Sequence, residues 1–111
     1  MTILFILLVQ LSWSQTPQKW WIGNVALDFV QAPEGGLVNP SCLKNATCLA
    51  ALAVKNKASS AKVGRGGKNP GSDVCRTQHK GSVVIASSGD RTQSFCHFSD
   101  DSYASLDGLF Q

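Results

Sequence analysis

The sequence offers little to a bilayer, to nucleic acid or to catalysis. Its opening apolar run, Ile3 to Val9, is far shorter than the roughly 20 residues a membrane-spanning helix needs, and no other run approaches that length. No cysteine follows a Leu-x-x pattern at the end of that run, which excludes a lipid anchor there. Charge is sparse: 15% of residues are charged, ten basic against seven acidic, for a formal net charge of +3. No aromatic residue interleaves the lysines of the basic segment, as a stacking platform for single strands requires, so nucleic acid is not an expected partner. Gly64, Gly66 and Gly67 have the wrong spacing for a phosphate-cradling loop, and no apolar strand precedes them. No Ser-His-Asp set with a recognisable elbow is present and no pair of acids stands in a catalytic context, so neither an enzyme nor a bound cofactor is expected.

What is present begins with "MTILFILLVQLSWSQTPQ". A short apolar segment followed by small residues at Ser12 and Ser14 is the layout of a secretory signal. Residues 1–14 are therefore predicted to be a signal peptide cleaved after Ser14, although no Lys or Arg precedes the apolar run. The product is expected to be exported, to the periplasm or beyond. Export governs the reading of Cys42, Cys48, Cys75 and Cys96: an even cysteine count in a small chain of an oxidising compartment implies a disulfide framework. Four cysteines allow three pairings, and each bridge can add about 2–4 kcal/mol.

Residues 15–54 form an N-terminal segment of a strand and a short helix. Trp20 to Val30 reads as one strand, or a short strand and an irregular piece, with one ring of the Trp20–Trp21 pair buried and the other exposed. Asn39 is a favoured N-cap with Pro40 at the first helical position, and Ala46 to Val54 is a short apolar run suited to a packed helix. Cys42 and Cys48 are six apart and cannot bond within one continuous helix. They close a small loop if the helix starts nearer Cys48; otherwise they pair elsewhere or stay reduced. Asn45-Ala46-Thr47 matches the glycosylation sequon. Residues 55–68 read as a basic Gly/Ser-rich linker. Its Lys55, Lys57, Lys62, Arg65 and Lys68 could tether the chain to an anionic component of the envelope.

Residues 69–111 hold the chemistry-bearing side chains. Asn69-Pro70 starts a helix, Asp73 complements the positive end of its dipole, and Gly81 stops it, with His79 and Lys80 suited to its C-terminal end. "SVVIASS" and "TQSFCHF" are two strands joined through a turn containing Gly89-Asp90. "SDDSYASLDGLF" is predicted to close the chain, with Ser99 or Asp100 capping a last helical turn carrying Tyr103 and Leu106. Alternation puts Ser94, Cys96 and Phe98 on one strand face and Phe95 and His97 on the other. Cys75, His79, Cys96 and His97 are ligand types for zinc, yet Cys96 and His97 project to opposite faces, so one ion would not readily take both. A Cys–His nucleophile needs a free thiolate. If Cys96 faces the helix, Cys75 can meet it in a disulfide that staples helix to hairpin, and a bonded pair offers no thiolate to a metal or to a substrate. The expected fold is accordingly α+β: a small disulfide-stabilised domain with a short helix packed on a β-hairpin.

"NPGSDVC…GSVVI…SFCHFSDDS" resembles domain-of-unknown-function family 333, small exported bacterial domains that carry the inherited label haemolysin. The family's motif is an Asn-Pro start, a helical cysteine, a glycine turn, and a cysteine before an aromatic-Pro-Asp-Gly-Ser segment. These positions read here as Asn69, Pro70, Cys75, Gly81, Cys96, Phe98, Ser99, Asp100, Asp101 and Ser102, and the match covers about residues 69–110. The chain departs from the motif where the family's glycine pair is Lys80-Gly81, where Pro-Asp-Gly is Ser99-Asp100-Asp101, and where a further cysteine is replaced near Tyr103. The resemblance implies an exported cell-envelope protein with a small α+β unit and attaches no catalytic residue to it. The function expected is a non-enzymatic binding or structural module, without lysis. The alternative is a small secreted protease inhibitor presenting Arg91, beside Asp90, on a disulfide-held hairpin tip.

Overall fold

The computed structural model describes residues 16–44, 47–58 and 70–110. The predicted signal peptide, Asn69, the sequon residues 45–46 and linker residues 59–68, with Lys62, Arg65 and Lys68, lie outside them. Six strands, β1 (Gln18–Ile22), β2 (Val25–Gln31), β3 (Leu37–Val38), β4 (Ser82–Ser88), β5 (Arg91–His97) and β6 (Tyr103–Ser105), close into an antiparallel barrel in the order β1-β2-β3-β6-β5-β4. Among the described residues three short helices lie outside it: α1 (Ser41–Lys44), α2 (Leu49–Lys55) and α3 (Pro70–Asp73), the last running on into a π-helical turn, Val74–Gln78.

The expected α+β unit of a helix on a hairpin is therefore not the fold. The β4–β5 hairpin exists, but it is one third of a barrel to which the N-terminal segment contributes the other long strands. Three local features concealed this. Trp20 to Val30 is two strands, because Gly23-Asn24 forms a two-residue loop with Gly23 at φ +64°, bringing Ile22 opposite Val25. A glycine with positive φ at the first loop position suits the II′ hairpin turn, whose twist matches that of its strands. Gly89-Asp90 repeats the device between β4 and β5, with Gly89 at φ +65°. The second feature is β3, whose two residues are too few to show a period; they pair with β2 through Val30–Val38 and Gln31–Leu37 and with β6 through Val38–Ala104. The third is Tyr103, which lies in β6 rather than in a helical turn, with Leu106–Gly108 forming a single 3₁₀ turn after it.

Strand registers place two apolar layers on opposite sides of one sheet. Inside the barrel lie Trp20, Phe29, Leu37, Ala86 and Phe95. Phe29 stacks on Phe95 at 4.4 Å, and Trp20 meets the Phe95 ring edge-on at 5.9 Å. Outside, Val30, Val38, Cys96 and Ala104 meet Ala50, Ala53 and Val54 of α2 and Val74 and Cys75 of the π turn. Neighbours such as Phe95 and Cys96 are thus both fully buried, the pattern of a strand covered on both faces. Among the described residues the helices cover the β2-β3-β6-β5 arc and the start of β4, where Val83 joins the outer layer, while Trp21 of β1 and Ile85 of β4 stay exposed.

The lower rim is sealed by backbone proximity. A Cβ on Gly36 would stand 2.7 Å from Gly108 Cα, and Gly36 itself holds φ +86°. Leu37 N–H donates to Ser105 Oγ at 2.8 Å, and the Ser105 hydroxyl donates to Asp107 at 2.6 Å. Among the described residues no helix is long and apolar enough to cross a membrane.

Candidate functional site

A disulfide joins Cys75 to Cys96, with Cα atoms 5.7 Å apart and both residues fully buried. It fastens the helix that starts at Pro70 to the outer face of β5. The helix ends unusually: His79 N–H reaches back to Val74 O, Lys80 takes the left-handed conformation at φ +55°, and Gly81 N–H returns to Cys75 O at 2.8 Å. A second disulfide joins Cys42 to Cys48. Of the alternatives open for this pair, the small loop is the one formed, because α1 stops at Lys44 and α2 begins only at Leu49. Neither cysteine pair holds a thiolate, so the Cys–His nucleophile and the Cys75–Cys96 half of a zinc set are both lost.

The segment Phe98–Ser102 explains how α2 starts. Cys48, its N-cap residue, makes no side-chain capping bond. Instead Asp100 Oδ2 accepts the Leu49 N–H at 2.9 Å and Ser102 Oγ accepts the Ala50 N–H at 3.0 Å. Orphan donors at a helix N-terminus are satisfied across the fold rather than by the preceding residue. Burial opposes the Asp100 charge, but the Leu49 N–H and then Ser102 outweigh it and hold the carboxyl below its ordinary range. Asp100 was expected to cap a helix on its C-terminal side; it caps α2. Asn39, expected as an N-cap, accepts the Tyr103 N–H at 2.6 Å through its side chain and so fixes β6.

The histidines are kept apart. His97 lies flat on Tyr103, ring centroids 4.4 Å apart, and pairs with exposed Asp101 at 2.9 Å. Burial, and then the Asp101 charge, raise the Tyr103 pKa. His79 meets the ring of Phe98 edge-on at 5.4 Å, and burial lowers its pKa. The charged form expected at the helix end is therefore disfavoured: desolvation outweighs the dipole. Among the described residues no three His, Cys, Asp or Glu side chains converge on a metal position.

Arg91 does not stand at the hairpin tip. It is the first residue of β5, opposite Ser88, and its guanidinium lies over the Trp20 ring at 5.1 Å. Of the basic segment, Lys55 ends α2, while Lys57 donates to Gly108 O at 2.6 Å and so ties the chain after α2 to the lower rim. That bond takes Lys57 out of the set available to an anionic surface.

With the lumen filled by aromatic rings, concave space lies outside the barrel. One groove of about 350 Å³ runs between α2 and the end of the π turn, lined by Leu49, Leu52, Ala53, Asn56, Gln78, His79 and Phe98. A cleft of about 200 Å³ on the other side of α2 is lined by Ala32, Val38, Leu43, Ala51, Val54 and Lys55 among others. The long-range capping by Asp100 and Ser102 carries no local sequence signal. The seal at Gly36 has one only in the Gly35-Gly36 pair before β3. No protein-family model, curated protein or solved structure matches the chain.

Proposed function

We propose that the chain is an exported cell-envelope protein related to domain-of-unknown-function family 333, and that it works as a non-enzymatic binding or structural module. One observation carries this. Where the family's motif has glycine and this chain does not, at Lys80 and Asp101, stand the two non-glycine residues with positive φ, +55° and +67°, among the described residues. A left-handed backbone at those positions is what a glycine in the motif would supply. The retained positions also have structural work: Cys75 and Cys96 bond, Phe98 is buried, and Asp100 and Ser102 start α2. Two disulfides are compatible with an oxidising compartment. A filled lumen directs binding to the outer surface, since a barrel this narrow leaves no room for a ligand inside.

Fractionation of cells producing the chain, with mass spectrometry of its N-terminus and cysteines, tests the proposal. Expected are recovery outside the cytoplasm, loss of residues 1–14 and two intact disulfides. A cytoplasmic chain with free thiols would refute it. Purified protein is expected to release no dye from liposomes or red cells. Arg91, held over Trp20, lends no support to the inhibitor alternative; inhibition of trypsin that Arg91→Ala abolishes would restore it.

A further inference from the structure

The two disulfides differ in their surroundings. Cys75 and Cys96 are fully buried, with Gly81 packed against both sulfurs. Cys42 and Cys48 are 4% and 7% exposed, and each lines a cleft. Cys42 and Leu43 of α1 line the apolar cleft of about 200 Å³, together with Ala51 and Val54 of α2. Cys48 lines a polar cleft of about 260 Å³, together with Ser41 of α1, Asn39, Asp100, Asp101 and Ser102. The two clefts share no lining residue, so α1 and the Cys42–Cys48 bond form the partition between them. Neither Cys75 nor Cys96 lines these clefts or the groove at the π turn.

The partition is anchored at both ends without its disulfide. Before it, the Asn39 side chain accepts the Tyr103 N–H at 2.6 Å. After it, the Leu49 and Ala50 N–H groups donate to Asp100 and Ser102 at 2.9 and 3.0 Å. Breaking the sulfur–sulfur bond therefore leaves β6 and the start of α2 held in place. The loop it closes is also the shorter, with a separation of 6 against 21, so it restricts the unfolded chain less. A disulfide within reach of solvent exchanges directly with a thiolate, whereas a buried one exchanges only when the fold opens around it. Charge selects the sulfur attacked. Asp100 and Asp101 at the polar cleft repel a thiolate, while at the apolar cleft Lys55 offsets Glu34. Attack falls on Cys42.

We infer that Cys42–Cys48 is a redox switch: an external dithiol opens it while Cys75–Cys96 stays closed, and the opening joins the two clefts into one space with an apolar and a polar end. A thiolate of the dithiol bonds to Cys42 Sγ, the Cys42–Cys48 bond breaks, and Cys48 leaves as a thiolate that takes up a proton. The second thiol of the dithiol then attacks its own sulfur in the mixed disulfide and releases Cys42, which is protonated in turn. Two electrons and two protons pass to the protein, and the dithiol becomes a disulfide. The test starts from the full chain purified with both disulfides formed. Dithiothreitol is added without denaturant, samples are quenched with iodoacetamide, and each cysteine is read by peptide mass spectrometry. Cys42 and Cys48 are expected to alkylate at least about tenfold faster than Cys75 and Cys96. Partly reduced wild type and the Cys42→Ser/Cys48→Ser variant are then compared with the oxidised protein by near-ultraviolet circular dichroism and by fluorescence of the neutral dye N-phenyl-1-naphthylamine. A native spectrum with dye fluorescence raised severalfold is expected of both, and the partly reduced wild type decides where the variant fails to fold. Reduction of Cys42–Cys48 no faster than that of Cys75–Cys96 would overturn the inference. So would loss of the native spectrum when Cys42–Cys48 alone is open, or dye fluorescence no higher than in the oxidised protein.

Discussion

Gly81 stands against the sulfur of Cys96: a Cβ built on it would lie 2.6 Å from Cys96 Sγ, 3.1 Å from Cys75 Sγ and 3.0 Å from His97 O. The glycine needed here answers to space rather than to backbone conformation. Its neighbour Lys80 is the residue with the left-handed backbone, so the two positions of the Lys80-Gly81 pair make different demands.

Gly81→Ala is expected to destabilise by about 1–3 kcal/mol, the usual cost of forcing a methyl into a packed site. Urea denaturation under non-reducing conditions measures it. An unchanged midpoint would mean that helix and strand are further apart than this contact requires.

Lys80→Gly should do the opposite. A non-glycine residue in the left-handed region costs roughly 1–2 kcal/mol, and glycine relieves it at some entropic expense. A net gain of about 1 kcal/mol would raise the melting temperature by about 4–8 °C for a domain of this size. A fall in melting temperature would show that the Lys80 side chain contributes more than its strain.

Replacing the staple with the pair Cys75→Ala/Cys96→Ala is expected to cost about 3 kcal/mol, the chain-entropy value for a closed loop near this length. The sequence separation is 21. The double substitution avoids leaving a lone thiol in the core. Equal melting temperatures for wild type and variant under oxidising conditions would show that the staple contributes nothing to stability.

Local signals carried part of this structure. The β4–β5 hairpin was legible because Gly89-Asp90 sits between two strand-like runs, and strand parity separated Cys96 from His97; which of the two faces meets the helix was not given by parity. Gly23-Asn24 is a signal of the same kind, yet the unbroken aromatic and branched flavour of residues 20–30 hid it. Closure of the barrel was not legible, because it depends on pairs such as Val38–Ala104, far apart in sequence and carried by a two-residue strand. For the same reason Asp100 read as a cap for the residues after it, when its partner lies 51 residues earlier.

His79 gives the fold a pH dependence of known sign. Its folded-state pKa is lowered from 6.5 by burial, so as pH falls the unfolded chain takes up the proton first. The stability from this group is complete above pH 6.5 and declines as pH drops from there through the folded value. Thermal melts of wild type and His79→Leu across pH 8 to 4 isolate it: the difference between the two should narrow or reverse in favour of the variant as pH falls below 6.5. A constant difference would mean the ring is not desolvated against Phe98.

Asp100 tests the long-range cap. Its carboxylate serves Leu49 of α2 and Ser102 of its own turn, and a charged acceptor at a helix start contributes more than a neutral one. Asp100→Ala is expected to cost about 1 kcal/mol, in the range of N-cap deletions. Asp100→Asn, which keeps an acceptor oxygen and loses the charge, should recover part of that. Hydrogen exchange gives the sharper reading, because the Leu49 amide should lose protection in the alanine variant while amides of the barrel interior strands keep theirs. Should Leu49 exchange at the same rate in both proteins, α2 is started by something other than the β5–β6 turn. A functional rather than a structural role for Asp100 and Ser102 would then be the first to seek.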